Sequence, residues 1–177
     1  MEKIMVIGSS GSGKSTLSRQ LGHNLLGHNL NIPVFHLDVL FWKPNWVMTS
    51  SEEQKEIQKT LLQKKKWIID GSYTGILDER LNAADSVILL DLPRKICFYR
   101  VFKRLFKNIG KTRIDMGKDC KERINLTFLK YIWNFPKHRK PYLLQKIKAN
   151  KNDKKVFVLT NIKEIEQFRM NVEKNDF

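Results

Sequence analysis

Nine consecutive residues near the start of the chain, Gly8-Ser9-Ser10-Gly11-Ser12-Gly13-Lys14-Ser15-Thr16, follow directly on the apolar run Ile4-Met5-Val6-Ile7. They match the phosphate-binding pattern GxxxxGK[ST] at every fixed position. Each residue type has its own task. The glycines let backbone N–H groups turn toward phosphate oxygens, and the helix that follows adds its positive N-terminal end. Lys14 reaches the β- and γ-phosphates, and the Ser15 hydroxyl holds Mg²⁺, while Ser9, Ser12 and Thr16 complete the expected contacts. ATP and Mg²⁺ are therefore the expected ligands.

Carboxylates at the ends of apolar runs supply the next candidates. Asp70 closes Trp67-Ile68-Ile69 and precedes Gly71, and Asp91 closes Val87-Ile88-Leu89-Leu90 and precedes Leu92-Pro93. Either could position Mg²⁺, a hard cation that keeps much of its water and takes carboxylate oxygens. Asp70 is preferred, because Gly71 permits close approach of the backbone to a ligand; Asp91 reads equally well as a helix N-cap ahead of Pro93. Asp38, closing His36-Leu37-Asp38, stands across from the phosphate loop, where it can orient an acceptor hydroxyl as general base or hydrogen-bond partner, or else cap the next segment. Trp42 and Trp46 either stack on a ring of the acceptor or pack over the sheet edge. Arg100 and Arg104 share one helical face, with Arg113 and Arg123 in the segment that follows. Mobile arginines closing over a transferring phosphoryl group are a recurring way to stabilise its charge.

These groups need a scaffold that brings strand ends together. Short apolar runs alternate with helix-like segments, which predicts an α/β fold with a parallel sheet and a site at the strand carboxyl ends. The predicted strands are 3–7, 33–37, 67–70, 86–91 and 155–159; the predicted helices are 14–25, 51–64, 75–83, 94–107, 122–135, 142–149 and 162–172. Within the first helix, Leu21-Gly22-His23-Asn24-Leu25 is repeated at once as Leu26-Gly27-His28-Asn29-Leu30. Five residues are not a whole number of helical turns, so one copy is expected to loop out or extend past the sheet. His23 and His28 have no carboxylate or cysteine nearby and read as solvated rather than metal-binding.

At 177 residues the chain is long enough for one domain, 1–177, with a sizeable core. Cys97 and Cys120 form no CxxC pair, and no secretory or membrane-spanning apolar run is present, so a cytoplasmic location is expected. The net charge of +15 is unevenly placed. Between Arg94 and Lys155 there are 20 Lys and Arg against 4 Asp and Glu, which leaves the rest of the chain near neutral. Such a segment suits polyphosphate or nucleic acid, with scattered lysines serving as a solvated face.

The loop at Gly8, HLDVLFWKPNW from His36, WIIDGSY from Trp67, LDLPRKICFYRVFKR from Leu90, TRIDMG from Thr112 and ERINLTFLKYIWNF from Glu122 span nearly the whole chain. Together they resemble the adenylate-kinase-like P-loop nucleotide kinases, and within them the DNA topology modulation (FlaR-like) proteins. The resemblance implies a three-layer P-loop NTPase fold with a five-stranded sheet in the order 2-3-1-4-5 and Asp70 beside the phosphate-loop strand. It also implies an inserted helical lid over residues 107–130, hinged on the helix that carries Arg100 and Arg104. Those two match the family's lid arginines by spacing; Arg113, Arg123 and Arg139 fall in the lid region more loosely.

The implied activity is transfer of the ATP γ-phosphate to a small nucleotide-like or hydroxyl-bearing acceptor. Lys14, Arg100, Arg104 and Arg113 would stabilise charge, Ser15 and Asp70 would hold Mg²⁺, and Asp38 would orient the acceptor. Adenylate kinases grip AMP with an arginine soon after the second strand and another in an Asp-Gly-Phe-Pro-Arg turn. Here those places hold Asp38 with aromatics and Asp70-Gly71-Ser72-Tyr73-Thr74. An uncharged hydroxyl acceptor is thereby opened and AMP disfavoured, unless Lys43 or Arg80 replaces the missing cations. A second reading is a nucleotide-responsive DNA-binding protein whose basic segment contacts the duplex, although no helix-turn-helix or zinc-finger pattern is visible.

Overall fold

A computed structural model describes residues 1–26, 32–123, 125–150 and 154–174. The strands are β1 (Lys3–Gly8), β2 (Val34–His36), β3 (Trp42–Lys43), β4 (Val47–Met48), β5 (Trp67–Asp70), β6 (Ser86–Leu90) and β7 (Lys155–Leu159). The helices are α1 (Lys14–Leu26), α2 (Leu37–Phe41), α3 (Ser51–Leu62), α4 (Leu77–Ala83), α5 (Arg94–Asn108), α6 (Leu126–Asn134), α7 (Lys140–Ala149) and α8 (Ile162–Lys174). A π-helical turn, Phe135–Arg139, joins α6 to α7.

β1, β5 and β6 are almost continuously apolar because both of their faces are covered, as in parallel sheets flanked by helices. All pairings in the main sheet are parallel, and the order β2-β5-β1-β6-β7 is the expected 2-3-1-4-5 when its five strands are counted along the chain. Side chains alternate across it. Met5, Ile7, Trp67, Ile69 and Val87 pack on one side with Leu61, Leu77, Leu81, Leu143 and Ile147. Ile4, Val6, Ile68 and Ile88 pack on the other with Leu17 and Leu21 of α1 and Phe168 and Val172 of α8. The sheet therefore lies between two helical layers, and burial on both faces fixes the height at which each strand ends.

Some elements differ from expectation. The predicted strand over 33–37 is shorter, because the chain turns at once into α2, and a small antiparallel hairpin, β3–β4, follows. The predicted helix from residue 122 starts only at Leu126, where the Asn125 side chain accepts from the Phe128 N–H at 2.7 Å. Helices bracket the lid region without filling it: among the described residues from 109 to 125 none is helical. Gly110 (φ 72°) and Asp119 (φ 58°) adopt left-handed backbone there, which interrupts a right-handed helix. Two bridges, Ile109 with Glu122 and Thr112 with Lys121, close the segment on itself instead.

The first copy of the five-residue repeat lies inside α1, where a Cβ on Gly22 would stand 2.6 Å from a Val34 methyl, so the helix comes this close to β2 only without a side chain. His23 on that helix is exposed. The second copy, with His28, lies outside the described residues. Cys97 and Cys120 are buried free thiols. No helix among the described residues is long and apolar enough to cross a membrane.

Candidate functional site

The phosphate loop connects the end of β1 to the start of α1, and its three glycines carry positive φ: Gly8 147°, Gly11 79° and Gly13 99°. Close packing adds a second constraint at Gly11, where a Cβ would stand 2.3 Å from the Cys97 carbonyl oxygen. The first turns of α5 thus press on the loop, and Arg100 Nη1 donates to the Ser12 carbonyl at 3.1 Å. Lys14 Nζ donates to the Ser9 carbonyl at 3.1 Å. A cavity of about 960 Å³ opens over the loop, lined by Gly8, Gly11, Ser12, Gly13, Lys14, Ser15 and Thr16. Ser9 lies beneath, almost fully buried.

Asp70 ends β5 at the cavity wall, as expected. His36 Nδ1 lies 2.9 Å from its Oδ1, while its buried Oδ2 has no hydrogen-bond partner among the described residues. Gly71 has φ 135° and makes room for Leu37, whose Cβ would lie 2.9 Å from a Cβ at this position, and it also lines the cavity. Asp91 is ion-paired to Lys140 at 2.6 Å and does not line the cavity.

Arg104 and Arg113 reach the cavity bound to one carboxylate: Arg104 Nε donates to Glu122 Oε1 at 2.9 Å and Arg113 Nε to Glu122 Oε2 at 2.6 Å. Burial and the neighbouring charge of Arg113 lower the pKa of Arg104, and Glu122 opposes both. Arg113 also donates to both oxygens of Asp115, at 3.1 and 3.2 Å. Asp115 Oδ2 in turn lies 4.0 Å from Arg19 Nη1 of α1. Burial alone would raise its carboxyl; Arg113, the Ser15 hydroxyl and Arg19 together hold it below the ordinary value. This chain of charges ties the segment 109–123 to α1 beside the expected Mg²⁺ position. Glu122 and Asp115 were missed in the sequence, although they are half of the acidic residues in a strongly basic stretch.

The far end of the cavity is made of side chains. Tyr73 donates to Asp38 Oδ1 at 2.6 Å and receives the Trp42 indole N–H at 3.0 Å. No other donor among the described residues reaches Asp38. Burial and then the Asp38 charge push the Tyr73 phenol far above its ordinary pKa, so it stays a hydrogen donor. Trp46 packs edge-on to Trp42 at 5.5 Å, carries Arg123 over its ring at 5.1 Å, and donates to the Lys121 carbonyl at 2.9 Å. Its φ of 64° is rare for an aromatic residue and marks a backbone held by those contacts. The segment 109–123 also seats on the hairpin through Cys120 Sγ, which donates to the Lys43 carbonyl at 3.2 Å. Gly117 lies so close that a Cβ there would stand 2.0 Å from the Trp42 oxygen.

Neither suggested substitute cation lines this end. Lys43 pairs with Glu53 at 2.9 Å on the surface. Arg80 is fully buried with its guanidinium pushed down to about 10 by burial, against the opposing effects of Asp70 and Tyr73. Arg123 and Arg139 do line the cavity, brought from distant segments. With Arg100, Arg104 and Arg113 they bring five arginines of the basic stretch to the cavity.

No family model matches the chain. The uncharacterized protein YqaC of Bacillus subtilis (strain 168) is 28% identical over 134 residues, covering 73% of this chain and 70% of that protein. Among solved structures, a shikimate kinase from Acinetobacter baumannii in complex with shikimate superposes with a TM-score of 0.63 at 14% identity, over 99% of this chain and 93% of that one. A gluconokinase from Sinorhizobium meliloti 1021 superposes with a TM-score of 0.51 at 13% identity, over 98% and 94%. The chain has the fold of the P-loop kinases.

Proposed function

We propose that this protein is a Mg²⁺-dependent kinase that transfers the γ-phosphate of ATP to a hydroxyl of a small acceptor. The observation that carries the reading is that one cavity has the phosphate loop at one end and the Tyr73-bound Asp38 carboxylate at the other. The residues fit Mg²⁺: Ser15 offers a hydroxyl, and Asp70 a buried oxygen without a partner among the described residues, whose sister oxygen is held by His36. Bound there, the cation would offset charge on the β- and γ-phosphates.

Phosphoryl transfer is mostly a matter of positioning and charge stabilisation. Backbone N–H groups of the loop and Lys14 hold the polyphosphate; Arg100, Arg104 and Arg113 lie where charge spreads over the transferring group. Tyr73 engages one Asp38 oxygen and leaves the other for the acceptor hydroxyl. That oxygen accepts the hydroxyl proton as the new O–P bond forms and the bond to ADP breaks. The docked lid and hairpin keep water from competing as acceptor. The motif resemblance to FlaR-like proteins supports an enzyme of the adenylate-kinase-like type.

The test has two arms. Calorimetric titration of Mg²⁺-ATP compares the wild type with Lys14→Ala, and labelled phosphate is followed from ATP to nucleosides, nucleotides and small hydroxylated compounds. Weakened ATP binding in the variant together with transfer to some acceptor is expected. Unchanged affinity in the variant, or ATP binding with transfer to none, would overturn the reading.

A further inference from the structure

We propose that the outer face formed by α5 and α6 rests on an anionic membrane surface, its aromatic side chains entering the headgroup layer and its lysines pairing with lipid phosphates and carboxylates. Neither the acceptor nor the catalytic step enters into this. α5 serves two sides. On one, Cys97 and Val101 are buried in the core, and Arg100 and Arg104 turn into the cavity. On the other, Tyr99, Phe102 and Phe106 stand 65%, 36% and 72% exposed. Spaced three and four residues apart, they form one stripe along the helix. Trp133 of α6, 47% exposed, widens it: Phe98 stands perpendicular to the indole at 5.6 Å and lies 6.2 Å from Phe102. None of the four exposed aromatics lines the cavity, and a contiguous exposed apolar face marks a surface that meets something else.

The charges beside the stripe decide what covers it. Lys95, Lys103 and Lys107 on α5 follow the aromatics at helical spacing, Lys130 accompanies Trp133 on α6, and all four are exposed. No acidic residue occurs in α5 or over 126–139. A second copy docking through the same face would set lysine against lysine with no carboxylate to offset them. A single-stranded nucleic acid would stack its bases on open ring faces, but the Arg94 guanidinium lies over the Trp133 ring at 4.0 Å and already occupies one of them. At their exposures Tyr99 and Phe106 protrude from the helix, which suits a deformable boundary. The headgroup layer accepts such rings together with long basic side chains, whose stems lie along the apolar surface while the ammonium groups reach the phosphates. Each basic residue held near an anionic leaflet adds to the attraction. α5 would lie on the surface, since its 15 residues are too few to cross a bilayer.

The experiment sediments the full chain with vesicles of phosphatidylcholine alone and of phosphatidylcholine with phosphatidylserine, at low and high salt. Three double variants accompany the wild type: Phe102→Ser with Phe106→Ser, Lys103→Gln with Lys107→Gln, and, as a control with the same change of charge, Lys55→Gln with Lys59→Gln on exposed positions of α3. All six positions are away from the cavity, so each variant should keep the melting temperature of the wild type to within a few degrees. The wild type is expected to bind the phosphatidylserine vesicles about 10-fold or more tighter than the neutral ones, and less tightly at high salt. The α5 lysine pair should lower that binding about 25-fold, about fivefold for each charge, and the phenylalanine pair about 10-fold or more with the charge unchanged. The α3 control should leave it nearly unchanged. Equal binding to both kinds of vesicle, binding that survives either α5 double substitution, or an equal loss in the α3 control would overturn the proposal. So would absence of vesicle binding while a single-stranded oligodeoxynucleotide, or a second copy in sedimentation velocity, is held through the same α5 residues.

Discussion

At the end of the cavity proposed for the donor, the groups that would contact phosphate come from nine consecutive residues, and many of them are backbone N–H groups held open by glycine. At the end proposed for the acceptor, Asp38, Trp42, Tyr73, Tyr131 and Arg139 arrive from separate segments and would act through side chains. A backbone cradle keeps its chemistry while neighbouring side chains vary. A set of converging side chains changes its preference with one substitution. The fold can therefore hold the donor constant and exchange the acceptor.

Separate damage to the two ends tests this division. The largest effect is expected from Asp38→Asn, which should slow transfer by about 10²- to 10⁴-fold, the range for lost general-base help, and leave ATP affinity unchanged. If ATP binding fell as well, the ends would not be separable. Next, Lys14→Ala should lower turnover by about 10²- to 10³-fold, as for removal of one group that stabilises developing charge, and should also weaken ATP in calorimetry.

The lid joins the two ends, and its effects should be smaller. Glu122→Gln keeps the shape but leaves Arg104 and Arg113 facing each other without their common counter-charge. A loss of about 2 kcal/mol is expected, or about 4–8 °C in Tm. ATP should restore more stability to this variant than to the wild type, because phosphate replaces the lost carboxylate; equal restoration would argue that the arginines do not meet the nucleotide. The smallest effect concerns Asp115, whose carboxyl is held low by Arg113, Ser15 and Arg19 against its burial. A depressed pKa gives stability that is complete above the unfolded value of about 3.9 and is lost as pH falls through the folded one. Asp115→Asn should therefore melt below the wild type at neutral pH, with the gap closing in acid. A gap constant across that range would show that the charge of Asp115 contributes nothing.

The legibility of the sequence follows the same division. The phosphate loop is a local pattern, and strands buried on both faces show as unbroken apolar runs, so β1, β5 and β6 fell within a residue or so of expectation. The stretch 37–48 did not, because α2 and the hairpin are only a few residues long and the turn depends on positive φ at Asn45 and Trp46. Asp38 was recognisable as a carboxylate at a strand end; its partner Tyr73 was not, since nothing local links the two. Arg139 read only as an arginine loosely assigned to the lid region. A π-helical turn has no signature in a pattern of 3.6-residue period, and Pro136 was the one hint of a break.

Ser72 has a consequence beyond its own two bonds. Its hydroxyl receives the Gly8 N–H at 3.0 Å and donates to the Gly8 carbonyl at 2.9 Å, clamping the first residue of the phosphate loop to the residue before Tyr73. Donor and acceptor ends are thereby set on one gauge. Reaction needs the attacking oxygen about 3–3.5 Å from its target, and a misplacement of about 1 Å can cost about 10²-fold. A hydroxyl that need touch neither reactant thus fixes the gap across which the phosphoryl group must pass, before either reactant arrives.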